Sequence, residues 1–106
     1  MEKLDLKTEL ELEIELEQAW ESIKAIASYY GKESQSIVAI EELSELQKEL
    51  CKMLRGIGST EHLAEEIADV EIMLCQIKEL YALDPMLISA QILLKTKRQI
   101  DRIANA

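Results

Sequence analysis

The sequence has 106 residues with a formal net charge of −9, and 48% of its residues are hydrophobic. This length suits one small domain, and the apolar fraction excludes a disordered chain. The acidic balance excludes a nucleic acid or an anionic membrane as a partner held by the overall field of the protein. An anionic nucleotide is not excluded, since bound cations and a local basic cluster can reverse the potential at one site.

The sequence also indicates where the protein resides and how its core is built. It contains neither an apolar run of about 18 residues nor a basic leader followed by an apolar stretch, so we expect a soluble, cytoplasmic protein. Cys51 and Cys75 lack CxxC spacing and are predicted to be free, partly buried thiols. One proline, three glycines and no phenylalanine predict long helices around an aliphatic core.

The first helix is predicted from about residue 4 to residue 29, so that residues 1–28 form an acidic amphipathic segment ahead of the main domain. Leucine or isoleucine alternates with glutamate from Leu10 to Leu16, which is a strand period, but Glu and Leu are strong helix formers. Two apolar rows on opposite sides predict packing between two partners, such as another subunit. The alternative is an acidic, partly frayed extension. The rows are Leu6, Leu10, Ile14 and Leu12, Leu16, Ala19, Ile23.

Three further helices are delimited by glycine, by proline and by residues that cap helix ends. They are predicted over Glu33 to Arg55, from a cap at Ser59 or Thr60 to Ala82, and from Pro85 to Ile103. The fold class is therefore all-α. Because a chain this short buries only a modest core, we expect a four-helix bundle completed by oligomerisation.

Two acidic patterns stand out on the second and third helices, EELSE at 41–45 and EIAD at 66–69. Carboxylates three residues apart lie on one face of a helix. An apolar stripe runs roughly a quarter turn from each acidic row, and packing the two stripes together would align the acids along one edge. The stripes are Ala39, Leu43, Leu46, Leu50, Leu54 and Leu63, Ile67, Val70, Leu74, Ile77.

Four converging carboxylates would repel one another without a counterion. Ligands that are all oxygen suit a hard cation, Mg²⁺ first and Mn²⁺ second. The predicted metal ligands are Glu42, Glu45, Glu66 and Asp69. The alternative is a pair of solvated acidic faces in a glutamate-rich protein.

The EExxE pattern followed by ExxD resembles the signature of the MazG-type all-α nucleoside triphosphate pyrophosphohydrolases. Segments 31–46, 65–77 and 95–103 are similar to the family's first acidic helix with its lead-in, its second acidic helix and its basic closing helix. The resemblance covers about residues 29–103, so residues 29–106 are assigned to a MazG-like core. It implies Mg²⁺-dependent hydrolysis between the α and β phosphates to a monophosphate and pyrophosphate, with house-cleaning of the nucleotide pool as one purpose.

Basic residues near the acids are candidates for binding phosphate. Lys95, Arg98 and Arg102 form a basic stripe that would neutralise phosphate charge left by the metal. Its alternative is favourable placement of cations near a helix C-terminus. Lys52 and Arg55 are weaker candidates for the same role.

Three more polar residues are candidates for the site. Gln35 lies where the MazG-type nucleotide pocket would begin, and its amide is suited to reading a base edge; plain solvent exposure is the alternative. Glu41 and Glu49 flank the predicted ligands and are candidates for orienting water or acting as a base, or are simply solvated.

The assembly is predicted to be an obligate homodimer, or a dimer of dimers, in which each site draws groups from two chains. No nucleic acid or membrane is expected as a partner. A non-catalytic helical oligomer acting as an adaptor or regulator is the alternative function. A di-iron carboxylate bundle is excluded, since it requires two Glu-x-x-His motifs and the chain has one histidine.

Overall fold

The computed structural model describes the backbone of residues 6–106 and the side chains from residue 8. It consists of four α-helices over this range: α1 (Leu6–Tyr30), α2 (Lys32–Leu54), α3 (Thr60–Leu80) and α4 (Pro85–Ala104). The all-α prediction is confirmed. The helix ends fall within two residues of the predicted ones, and the predicted start of the first helix, near residue 4, lies outside the described residues.

Local chemistry sets these helix ends. Gly31 separates α1 from α2 with φ +91°, a backbone conformation that glycine adopts without steric cost. The Ser59 hydroxyl accepts a hydrogen bond from the His62 backbone N–H at 3.2 Å, which makes Ser59 the cap of α3. The Asp84 carboxylate accepts one from the Met86 N–H at 2.9 Å, and Pro85 begins α4.

The helices do not all pack together. The α2 and α3 helices form the most extensive pair, α1 packs mainly against α3, and α4 makes little contact with any of them. Gln35, near the start of α2, bonds to Gln76, near the end of α3, so the α2–α3 hairpin is antiparallel. Three helices thus share the core, and the predicted four-helix bundle is not closed within one chain.

The α2–α3 interface differs from the predicted one by a rotation of each helix. Buried and half-buried positions of α2 include Gln35, Ala39, Glu42, Leu46 and Glu49, spaced three or four residues apart. Glu42 and Glu49 therefore face α3, so the prediction that the acids of α2 would lie along one open edge is wrong for these two residues, whereas Glu45 is exposed. Parts of both predicted apolar stripes lie exposed instead: Leu43 is 49% exposed, Leu50 48%, Leu54 89%, Ile67 42% and Leu74 46%.

Two glutamines tie the three packed helices together. The Gln35 Nε2 donates to the Gln76 Oε1 at 2.7 Å, and the Gln76 Nε2 donates to the Ile23 carbonyl at 3.2 Å. Both side chains are buried, and a buried amide without partners would destabilise the fold. These two bonds link α1, α2 and α3 in a single polar contact.

Two sequence-based expectations concern the thiols and the membrane. Cys51 and Cys75 are free, as predicted, but Cys51 is exposed, whereas Cys75 is half-buried. None of the helices in the described part of the chain is both long enough and apolar enough to span a bilayer.

Candidate metal centre

Three carboxylates converge across the α2–α3 interface. Glu42 of α2 and both Glu66 and Asp69 of α3 place one oxygen each so that these atoms lie within 4.8 Å of one another. All three residues are half-buried. Oxygens that share one Mg²⁺ lie about 3–4 Å apart, because each bond is about 2.1 Å long. The spacing is close to that of a cation site and needs only small side-chain adjustments.

The environment of these carboxylates disfavours their negative charge. Desolvation by burial, followed by the charges of Asp69 and Glu66, raises the pKa of Glu42 above its ordinary value. Desolvation and then the charges of Asp69, Glu45 and Glu49 raise the pKa of Glu66 in the same way. A divalent cation would remove this penalty by favouring the charged form of each ligand.

Two carboxylate oxygens in this interface are buried and lack a partner in the described part of the chain. The Glu66 Oε2 and the Glu49 Oε2 have no hydrogen-bond donor among the residues that the structure describes. A buried unpaired oxygen costs free energy, and a bound cation can supply the partner that it lacks. The residues present therefore fit a divalent cation, which would give the Glu66 Oε2 the partner that it lacks among the described residues.

Glu49 and Lys52 form a pair that sequence patterns alone did not single out. The Lys52 Nζ donates to the Glu49 Oε1 at 3.2 Å, and Glu49 is buried, so the alternative that Glu49 is solvated is wrong. The i,i+3 spacing of opposite charges was the available signal. The role of Glu49 as a base or water-orienting group stays a prediction, and Lys52 lies half-buried beside Glu49.

Glu45 and Glu41 lie outside the group of three. Both are exposed on α2, but the charge of Glu45 contributes to the raised pKa values of Glu42 and Glu66. Glu45 is thus a neighbour of the centre. The four predicted ligands divide into three that converge and one at the rim.

The predicted nucleotide-binding residues on α2 differ in their exposure to solvent. Gln35 is buried, its Oε1 accepts a bond from the Ser34 hydroxyl at 3.4 Å, and its Nε2 is bonded to Gln76. The alternative of plain solvent exposure is therefore wrong, and reading a base edge would require breaking these bonds. Arg55 is exposed at the C-cap of α2.

The basic stripe is not brought to the carboxylates within one chain. Lys95, Arg98 and Arg102 are exposed on α4, which makes little contact with α2 or α3. A site that combines these cations with the carboxylates needs α4 to move or a second copy to supply its own α4.

Comparison with known proteins adds no assignment to this geometry, since the chain matches no family model, no curated protein and no solved structure.

The metal-free protein is expected to lose stability as the pH rises from 4.5, the ordinary glutamate pKa, through the raised values of Glu42 and Glu66. In this window the folded chain binds more protons than the unfolded chain, so the free energy of unfolding falls with rising pH. Above the window, Mg²⁺ or Mn²⁺ should restore stability, because it binds the charged folded form. Thermal melts across the pH range with and without metal measure both effects.

The double variant Glu42→Gln/Glu66→Gln separates this centre from the other acids of the chain. It should flatten the pH dependence and abolish the metal effect, whereas Glu33→Gln/Glu61→Gln removes two exposed charges and should change neither. A melting temperature that does not respond to either metal above the window would contradict a cation site.

Proposed function

We propose that the chain is a divalent-cation-dependent enzyme whose metal ligands are Glu42, Glu66 and Asp69. The observation that carries this proposal is the convergence of one oxygen from each of them within 4.8 Å, together with a buried Glu66 oxygen that has no donor among the residues that the structure describes. Structural ion pairs can also perturb carboxylates, but here the charges that raise the pKa values of Glu42 and Glu66 are all negative. Such a group is better suited to holding a cation than to stabilising the fold.

The particular activity proposed is that of a MazG-type nucleoside triphosphate pyrophosphohydrolase acting on the cytoplasmic nucleotide pool. Its support is the EExxE and ExxD pattern in the same two helices that supply the three carboxylates. The reaction is hydrolysis between the α and β phosphates, which releases a monophosphate and pyrophosphate.

The acidic residues and Lys52 would have different roles in this hydrolysis. Mg²⁺, when bound, supplies Lewis acidity and lowers the pKa of a bound water. Glu42, Glu66 and Asp69 would hold the ion, and Glu45 at the rim adds negative charge that strengthens binding. Glu49, kept in place by Lys52, is the candidate that orients the attacking water or accepts its proton.

The basic residues that would bind phosphate do not reach the carboxylates of their own chain. Lys95, Arg98 and Arg102 would stabilise the charge on the departing pyrophosphate, and Arg55 is a weaker candidate. Because α4 stands away from the carboxylates in its own chain, we assign these cations to a site completed by self-association, as a homodimer or a dimer of dimers.

A nucleoside triphosphate incubated with the protein and Mg²⁺ is expected to yield monophosphate and pyrophosphate in one step, because the water attacks the α phosphorus. Chromatography of the products over a panel of common and damaged nucleotides tests this and finds the preferred base. Diphosphate plus orthophosphate would mean attack at the γ phosphorus, which contradicts the pyrophosphohydrolase assignment while leaving the metal centre intact.

A non-catalytic adaptor is the second candidate, and the exposed apolar row on α2 and α3 favours it. Leu43, Leu50, Ile67 and Leu74 are each 42–49% exposed, as expected of a docking face. An adaptor would hydrolyse no nucleotide and would melt at the same temperature with and without Mg²⁺.

A further inference from the structure

The α4 helix carries an apolar face with basic borders, and that face is uncovered. Ile92, Leu93, Ile100 and Ile103 are 59–72% exposed. At about 100° per residue they occupy about a third of the circumference, an arc that also contains Thr96. Lys97 borders this arc on one side and Lys95 on the other, with Arg98 and Arg102 beyond Lys95. The only acid of α4 is Asp101.

The N-terminal half of α1 carries the opposite pattern. Leu12 and Leu16 are each 53% exposed and lie along one side of the helix. At about 100° per residue, Glu13 borders this row on one side and Glu15 on the other. No lysine or arginine occurs from residue 9 to residue 23, while every second residue from Glu9 to Glu17 is a glutamate.

Neither pattern is matched among the side chains that the structure describes. The ion pairs among the described residues are Glu21–Lys24 and Glu49–Lys52, so the basic residues of α4 and the glutamates of residues 9–17 take part in none. Pro85 and Trp20 line one cavity of about 500 Å³, so α4 starts near the middle of α1. Beyond that point the two helices have little contact.

We infer that α4 of one copy packs along the N-terminal half of α1 of a second copy. Ile92, Leu93 and their neighbours would cover the Leu12–Leu16 row, and Lys95 and Lys97 on the two borders of α4 would face the glutamates on the two borders of α1. This contact engages Lys95, so Arg98 and Arg102 are the cations of α4 that stay available for phosphate. Opposite charges on both borders favour this pairing and disfavour the pairing of like helices. In a two-fold dimer the contact occurs twice.

A second copy of the chain is the partner that fits both surfaces, because its α1 can cover α4 and its α4 can cover α1. An anionic membrane or a nucleic acid would cover the basic helix only, and the glutamates of α1 would repel it. A cationic partner would cover α1 and leave α4 open. Each chain carries one acidic helix surface and one basic helix surface, so two copies are complementary to each other.

Charge reversal distinguishes this contact from every other mode of association. The acidic-side variant Glu13→Lys/Glu15→Lys and the basic-side variant Lys95→Glu/Lys97→Glu should each sediment as monomers of about half the wild-type mass at micromolar concentration. An equimolar mixture of the two variants should form a dimer, because each copy then offers a surface complementary to one on the other. Circular dichroism confirms that both variants keep their helices.

The equimolar mixture of the two charge-reversal variants decides whether this contact forms. Glu33→Lys/Glu61→Lys, which reverses two exposed charges on α2 and α3, should leave the wild-type dimer unchanged. Recovery of the dimer only on mixing supports the contact. A monomeric wild type, as when α4 folds onto its own α1, overturns it. Variants that stay dimeric alone, as in a dimer formed through Leu43 and Leu50, overturn it as well.

Discussion

Replacing Glu66 with glutamine is expected to lower pyrophosphate release about a thousand-fold or more, since a metal ion contributes several kcal/mol of transition-state stabilisation. The metal-free variant should stay folded, because glutamine keeps the volume of the side chain and removes a charge that the folded state disfavours. Turnover with Mg²⁺ and thermal melts without metal measure the two effects.

Glu65→Gln is the matched control for this variant. Glu65 is the preceding residue of the same helix, is exposed, and undergoes the same chemical change. It should keep nearly all of the activity. If Glu66→Gln turned over at a comparable rate, Glu66 would not be a ligand, and the proposed metal centre would be wrong.

Glu45→Gln tests whether Glu45, which lies beside the three converging carboxylates, is itself a metal ligand. We expect its activity to fall less than that of Glu66→Gln, because Glu45 is exposed and lies outside the group of three. Equal losses in the two variants would place Glu45 among the direct ligands.

Gln76→Ala is expected to lower the free energy of unfolding by about 2–4 kcal/mol, through the cavity that it creates and the unpaired amide that it leaves on Gln35. Gln76 is 2% exposed, and its side chain bonds from α3 to both α1 and α2. Urea denaturation followed by circular dichroism measures the change.

The double variant Gln35→Leu/Gln76→Leu tests the cause of this loss. It removes the donor and the acceptor together and fills the space, so it should cost much less than Gln76→Ala. A loss below about 1 kcal/mol for Gln76→Ala would show that the paired amides contribute little to the packing of the three helices.

Much of the candidate site was predictable from the sequence because its determinants are local. Glu66 and Asp69 lie on one face of any helix that contains them, and a short turn makes the next helix antiparallel. Glu42 then meets them across the interface. The burial of Glu49 and the pairing of Gln35 with Gln76 were not predictable, since each depends on a residue of the facing helix or on the exact rotation.

The sequence by itself determined the four helices and their ends, through Gly31, Ser59 and the Asp84–Pro85 pair. These signals act within one helical turn and do not depend on the rest of the fold.

Only the tertiary structure decided which face of each helix is covered. Ala39 and Leu46 belong both to the predicted stripe and to the observed interface, so periodicity does not distinguish two rotations that differ by about a sixth of a turn. The sequence did not determine the position of α4 either. The pattern of an amphipathic helix predicts that its apolar face is buried, but it does not predict which surface buries that face. That choice depends on the shape and charge of the surfaces that meet.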